Sequence, residues 1–278
     1  MYKRFFLVLF SSSVLLSDTV EHGYESAIPT FAKNPHPGRM SVAMSVSNLN
    51  YTNAYIGDEK FPLADKFNSN AIGISAKYHG TNGVGISGLH LMENFSYDSG
   101  DDPSRITTAL GVYMVWNEIY PESSPSMLDG HQFTFPTTRI VSGLNFMTMK
   151  DIDNNNYDAV FFTGALDLIV SKSLILSNFL RFDLSDKDDI SWSVLSSKLV
   201  YDFNQNISIA PSMTYIQNNN GDYETFVMIE GGYQFKNLSY GYLHTDIKIS
   251  PFIRLNITGQ DVIYPDTELG FNLHFYFN

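Results

Sequence analysis

The residues of this chain best suited to chemistry are charged side chains spaced at every second position in segments that are otherwise apolar or small. Lys77, Arg105, Arg139, Arg181 and Lys198 fall on the polar parity of such segments, and so do Asp167, Asp183, Glu224 and Glu230. Side chains two apart line one face of an extended strand, so these residues would share a face of nearly balanced charge. Enclosed by protein, such groups do one of two things. They form an eyelet whose transverse field orients small polar or anionic solutes, or they pair with one another and fill the enclosure. Arg105, Arg139 and Arg181 lie on adjacent or nearby segments, and a cluster of fixed positive charge in a narrow pore favours anions.

Catalysis finds no comparable pattern. An activated nucleophile needs a base within hydrogen-bond reach, most simply a His and a Ser two apart on one strand. His79, His90, His131, His244 and His274 have no Ser two residues on, and Tyr242–Asp246 offers only His244 and Asp246 in reversed order. No catalytic residue is assigned, and the chain is read as a non-enzyme. The run Asp151-Ile152-Asp153-Asn154-Asn155-Asn156 begins like a calcium loop. It lacks the glycine and the glutamate that complete one. It reads as a solvated hairpin loop, with adventitious divalent-cation binding there or at Asp98–Asp102 as the lesser reading. With Cys 0, disulfides, thiolate metal sites and a lipidated cysteine are all excluded. No metal and no cofactor are implied.

The elements that must position those charges are clearest from Tyr157 to Phe235. Val160, Phe162, Leu166, Leu168 and Val170 share one parity against Ala159, Thr163, Ala165 and Asp167. Leu174, Leu176, Leu180, Phe182 and Leu184 alternate with Ser177, Arg181 and Asp183, and Leu199, Tyr201 and Phe203 with Lys198, Val200 and Asp202. Two further segments, through Ile209 and Met213 and through Val227 and Tyr233, continue the pattern to Phe235. Turns this short leave an antiparallel meander as the topology. Strands of about 10 to 14 residues exceed the common length of about 5 to 6 and match the roughly 9 to 11 that a tilted strand needs to cross a bilayer.

Upstream, Met40–Val46, Ile72–Tyr78, Ile106–Trp116 and Ile140–Phe146 alternate in the same way. Asp58–Asp65 reads as a loop, and the third strand ends near Met92. The last two strands are expected at Leu238–Asp246 and Glu268–Phe277, joined by a long connection in which Phe252–Ile257 forms a hairpin arm. The result is an all-β, antiparallel, up-and-down transmembrane barrel of about twelve strands, an even number that puts both termini on one side. Gly80–Gly83, Ser171-Lys172, Asn204–Asn206 and Lys236-Asn237 are then short turns on the terminal side. Glu118–Thr138 is a long connection on that same side and breaks the pattern.

Composition suits this reading. Charged residues make up 17% and aromatics 14%, with Tyr 17 and Phe 21 available for interfacial girdles. The formal charge of -12 and pI near 4.8 remove the basic excess that nucleic-acid binding requires. Met1–Ser17 has Lys3 and Arg4 ahead of an apolar stretch, Phe5–Leu16, and reads as a secretory signal peptide. Residues 18–38 hold Pro29, Pro35 and Pro37 without strong periodicity and read as a periplasmic lead-in or a lumen plug. The barrel is expected over 39–278. Export without an apolar helix points to the outer membrane of a Gram-negative cell.

At the end of the chain Leu269, Phe271, Leu273, Phe275 and Phe277 alternate with Gly270, Asn272, His274 and Tyr276. This resembles the C-terminal strand of Gram-negative outer-membrane β-barrel proteins, although the chain ends Phe277-Asn278 where that family usually ends on the aromatic. The resemblance implies that Phe275 and Phe277 are an assembly signal read by the barrel assembly machinery, in contact with outer-membrane lipid and lipopolysaccharide. In size such a barrel also resembles the outer-membrane phospholipase and the omptin-like proteases, whose catalytic groups the histidines above do not reproduce. The function expected is porin-like passive diffusion of small hydrophilic solutes. Lys77, Arg105, Arg139, Asp167, Arg181, Asp183, Lys198 and Glu230 are the expected lining. The competing reading is a non-conducting structural or surface-interaction barrel with acidic extracellular loops.

Overall fold

A computed structural model describes residues 40–57, 59–80, 83–97, 103–119, 126–128, 131–133, 138–150, 156–171, 174–184, 192–204, 206–240, 243–261, 263 and 265–277. The signal-like segment, the 18–38 lead-in and the acidic stretches 98–102 and 151–155 lie outside the described residues. The described chain is all strand and turn. Its strands are Met40–Ile56 (β1), Glu59–His79 (β2), Val84–Tyr97 (β3), Ser104–Ile119 (β4), Ser126–Leu128 (β5), His131–Phe133 (β6) and Thr138–Lys150 (β7). They continue with Asn156–Ser171 (β8), Leu174–Asp183 (β9), Trp192–Asp202 (β10), Ile207–Asn218 (β11), Tyr223–Tyr240 (β12), Leu243–Gln260 (β13) and Thr267–Phe277 (β14).

All but β5 and β6 join one closed ring, each strand antiparallel to its sequence neighbours, with β1 pairing β2 on one side and β14 on the other. Met40 faces Phe277 across the closing ladder, so every barrel strand has two partners and no edge is left. Closure is what bilayer hydrocarbon demands, because an unpaired N–H or C=O there costs several kcal/mol. β5 and β6 form a separate two-stranded hairpin within the connection from β4 to β7. The long connection on the terminal side is therefore real, and part of it is folded.

Period-two alternation decides which residues face which medium. On β4, Leu110 is 65% exposed and Trp116 63%, while Arg105 and Thr107 between turns of the same pleat are 2% exposed. The exposed series is the lipid face, because nothing in the ring covers it. It carries two aromatic belts. Tyr78, Trp116, Tyr201, Phe203, Tyr233 and Phe235 stand outward near the terminal end, where Tyr201 packs edge-on to Phe203 at 5.0 Å and Tyr233 to Phe235 at 4.8 Å. Tyr215 stacks on Tyr223 at 5.7 Å near the opposite end. Amphipathic rings at both rims mark the height of the apolar band between them.

Several local expectations are corrected. Glu59–Asp65 is strand, since β2 runs unbroken from Glu59 to His79, and β3 extends to Tyr97. Lys236-Asn237 is no turn: the β12–β13 register shifts between Phe235 and Leu238, so the polar pair sits in a bulge. The strand expected over Leu238–Asp246 is instead the end of β12 and the start of β13, and Phe252–Ile257 belongs to β13. The strand number survives because one segment was cut in two where another was missed.

The ladders also show two gaps. Between β10 and β11, pairing passes from Lys198–Ser212 to Tyr201–Ile209, skipping the position of Pro211. Between β12 and β13 it passes from Glu230–Phe252 to Tyr233–Ile249, skipping Pro251. Proline has no N–H to give, and both prolines face outward, where no side-chain packing is lost inside.

Candidate pore lining

Inward positions carry the polar and charged groups, and the half of the interior away from the termini is built on arginine. Arg105 bonds Glu93 across the β3–β4 ladder, and Ser69 Oγ donates to the other oxygen of Glu93 at 2.6 Å. Arg181 Nε donates to Asp183 Oδ1 at 2.8 Å. Arg254 reaches two carboxylates, Glu224 at 3.0 Å and Glu268 at 3.4 Å, joining β12, β13 and β14. Each guanidinium also lies over a phenyl ring: Phe95 at 5.2 Å, Phe161 at 3.8 Å and Phe226 at 3.8 Å. A planar cation fits both contacts at once, its edge hydrogen-bonded and its face stacked.

Nearer the termini the cations are lysines. Lys198 Nζ donates to Glu230 Oε2 at 2.8 Å, and Lys248 Nζ stands 3.8 Å from Glu230 Oε1, beyond hydrogen-bond length. One carboxylate thus serves two ammoniums from strands on either side of it, with His274 buried beside them on β14. Asp246 accepts from Gln234 at 3.4 Å in the same half.

Of the residues named from sequence, Arg105, Arg181, Asp167, Asp183, Lys198 and Glu230 lie inside the barrel and are buried. Lys77 is half-buried on the inward parity of β2. Arg139 stands opposite Asp167 in the β7–β8 ladder, and its side chain falls outside the described ones. Asp167 itself accepts from Ser177 Oγ at 2.6 Å. The arrangement changes the expected electrostatics. Arg105 and Arg181 do not stand as free positive charge, since Glu93 and Asp183 neutralise them at bonding distance.

Glu93, Lys248, Arg254 and Glu268 were not anticipated. Glu93 lies beyond the expected end of β3, and Lys248 and Arg254 follow from the missed β13; Glu268 opens the last strand as expected, at Thr267–Phe277, but was not placed in the lining. The signal was present: Lys248, Ser250, Phe252 and Arg254 alternate with Ile247, Ile249, Ile253 and Leu255. Pro251 interrupts that run, and a proline is disfavoured inside a strand. Phe275 and Phe277 pair with Val42 and Met40 in the closing ladder. His90 faces outward and bonds Thr108 at 2.9 Å. Among the described residues no group of metal-ligating side chains assembles.

No family model matches the chain, and no curated protein matches it. Solved structures do. An outer membrane channel from Pseudomonas putida F1 superposes with a TM-score of 0.58 at 12% identity, covering 87% of this chain and 96% of the channel. That likeness places the chain in the fold of outer membrane channels. The KdgM porin in complex with disordered oligogalacturonate gives 0.44 at 12% identity, over 86% of this chain and 98% of the porin. The translocator domain of the autotransporter NalP from Neisseria meningitidis gives 0.48 at 8% identity, over 98% and 99%. Only the first score is high enough to bear on the fold.

Proposed function

We propose that this chain is an outer-membrane channel through which small hydrophilic solutes diffuse. The observation that carries the proposal is the division of one closed ring into a largely apolar, aromatic-belted exterior and an interior lined with charged and hydroxyl groups from nearly every strand. Charges inside a membrane barrel are costly, and residues of this kind mark solute or ion pathways. At twelve strands the ring is wider than the eight-stranded barrels that side chains fill and narrower than the porins of about 16 to 18 strands with a broad aqueous channel. Its solutes are correspondingly small. The location that follows is the outer membrane, with lipid and lipopolysaccharide against the belts and assembly through the closing strand, where Phe275 and Phe277 would be the signal.

One observation favours the non-conducting reading. Arg254 and Lys198 are fully buried and self-paired, as a filled interior requires. Reconstitution of the full chain in planar bilayers separates the two. Stepwise conductance in KCl, weakly ion-selective because the charges are paired, is expected. Silent bilayers with demonstrably inserted, heat-modifiable protein would establish the structural barrel instead.

A further inference from the structure

On the lipid face of β9 the outward series runs Leu174, Leu176, Asn178, Leu180, Phe182 and Leu184, so one amide stands in a row of apolar side chains. Beside it in the β9–β10 ladder is Ser197, whose own outward neighbours are Leu195 and Leu199. The ladders set Leu166 on one side of the pair and Met213 on the other. The polar spot is thus ringed by Leu166, Leu176, Leu180, Leu195, Leu199 and Met213. Its depth follows from the belts. Leu174 pairs with Tyr201 of the belt on the terminal side. Four residues of a strand tilted about 40° bring Asn178 roughly 10 Å further in, near the middle of an apolar band about 25 Å tall. His90, also outward and bonded to Thr108 at 2.9 Å, differs: Asn94 and Ser96 follow it on the same parity, so it stands at the polar rim.

At that depth no water is at hand to satisfy a polar group. Ser197 Oγ donates to Asn178 Oδ1 at 3.0 Å, which uses one of the oxygen's two lone pairs. Among the described residues nothing accepts from the two N–H groups of Asn178 Nδ2. We propose that a second copy of this chain does. The β8–β11 walls of two barrels meet about a two-fold axis along the membrane normal, and each Asn178 Nδ2 donates to Oδ1 of the partner subunit's Asn178. A carboxamide is self-complementary, and this axis keeps both amides at one depth and both barrels in one orientation. Lipid is the poorer occupant, because headgroup oxygens lie at the rims and acyl chains accept nothing. The apolar ring does not decide between them, since lipid tails cover a leucine as well as another leucine does. Four strands across a band of that height offer on the order of 500 Å² per copy, short of the roughly 800 Å² of a standard interface. The preference for a second copy therefore rests on the amide pair.

The dimer requires that the barrel cross the bilayer and not that it conduct, so association is read without reference to current. With Cys 0 in the chain, one introduced thiol is the only one present. Leu180→Cys lies one pleat from the amide, and Leu110→Cys lies on the β4 wall away from it. Each is folded as full-length protein into phosphatidylcholine liposomes over a range of lipid-to-protein ratios and treated with a short bis-maleimide. Leu180→Cys should give a crosslinked dimer that persists on dilution with lipid, and Leu110→Cys should not. Adding Asn178→Leu to Leu180→Cys should lower the crosslinked fraction about tenfold at the same dilution. That change places an apolar side chain against lipid and should keep the heat-modifiable band of the folded barrel. Should the band be lost, Asn178→Ala takes its place with the same expectation. Crosslinking at neither position means that lipid covers the amide, which overturns the dimer and leaves the channel reading untouched. Equal crosslinking at both positions means random collision, and crosslinking at Leu110→Cys alone moves the contact to another wall; either overturns the proposal. Leu180→Cys dimers undiminished by the loss of the amide overturn its role in holding the copies together.

Discussion

The two halves of the interior solve the same problem with different cations. Away from the termini, Arg105, Arg181 and Arg254 each combine a carboxylate with a phenyl face. Nearer the termini, Lys198 and Lys248 share Glu230, and Lys248 stands off at 3.8 Å. A guanidinium held on edge and face is fixed, whereas an ammonium on a four-carbon stem keeps its rotamers. The arginine half is thus the rigid part of the lining. The lysine half is the part with rotamers left to change.

The sharpest way to break this comparison is to delete one cation from each half. Arg254→Met leaves Glu224 and Glu268 buried without their cation and should cost about 3–5 kcal/mol. Lys248→Met leaves Glu230 still bonded to Lys198, so roughly 1–2 kcal/mol is expected. Urea unfolding followed by tryptophan fluorescence measures both, and equal losses would erase the distinction between the halves.

Charge-conserving exchanges sharpen it. Arg254→Lys keeps the charge but gives up the two-carboxylate fork and the stacking over Phe226, a loss of about 1–2 kcal/mol. Lys198→Arg, which keeps the charge beside Glu230, should change stability by less. The same unfolding midpoints decide, and a neutral Arg254→Lys would show that the rings beneath the guanidiniums contribute nothing.

A subtler effect concerns ions. Because the arginines are neutralised, the wild type should be close to unselective, and Lys248→Glu should move the reversal potential in a KCl gradient toward cations. Arg105→Gln also leaves a carboxylate uncovered. Its effect should be smaller, since Ser69 still bonds Glu93. A strongly anionic wild type would mean that the carboxylate partners do not cancel the arginine field.

The smallest effect belongs to the rim, where charge meets water. Asp266, between β13 and β14, is partly buried, which by itself raises its pKa. Bonds from Lys60 Nζ at 2.7 Å, from the Thr52 hydroxyl at 2.5 Å and N–H at 2.9 Å, and from the Asn53 amide at 2.8 Å more than reverse this, holding the carboxyl below its usual range. A depressed carboxylate stabilises the fold above its unfolded-state pKa, and that stability is lost as pH falls through the folded value. Lys60 is 43% exposed, so the contribution is modest. Asp266→Asn should flatten the acid side of the stability profile and barely alter it at neutral pH. Unfolding midpoints measured at neutral and acid pH test this, and an unchanged acid slope would assign the acid sensitivity to the interior.

Alternation alone determined which side chain faces which medium. Leu110 against Arg105, Leu199 against Lys198 and Ile229 against Glu230 are legible from parity, because a strand gives neighbouring residues opposite faces whatever its partners are. Local chemistry failed where partners matter. Lys236-Asn237 looks like a turn, and only the longer β13 ladder makes it a bulge. Pro251 looks like a strand breaker, and only its outward position at a ladder gap makes it tolerable. The pairings of the lining lay furthest from sequence. Arg254 meets Glu224 and Glu268, 30 and 14 residues away, because the register of three strands stacks them. Register is a property of the closed ring, and a one-residue slip of β12, β13 or β14 would send that strand's charge to the lipid.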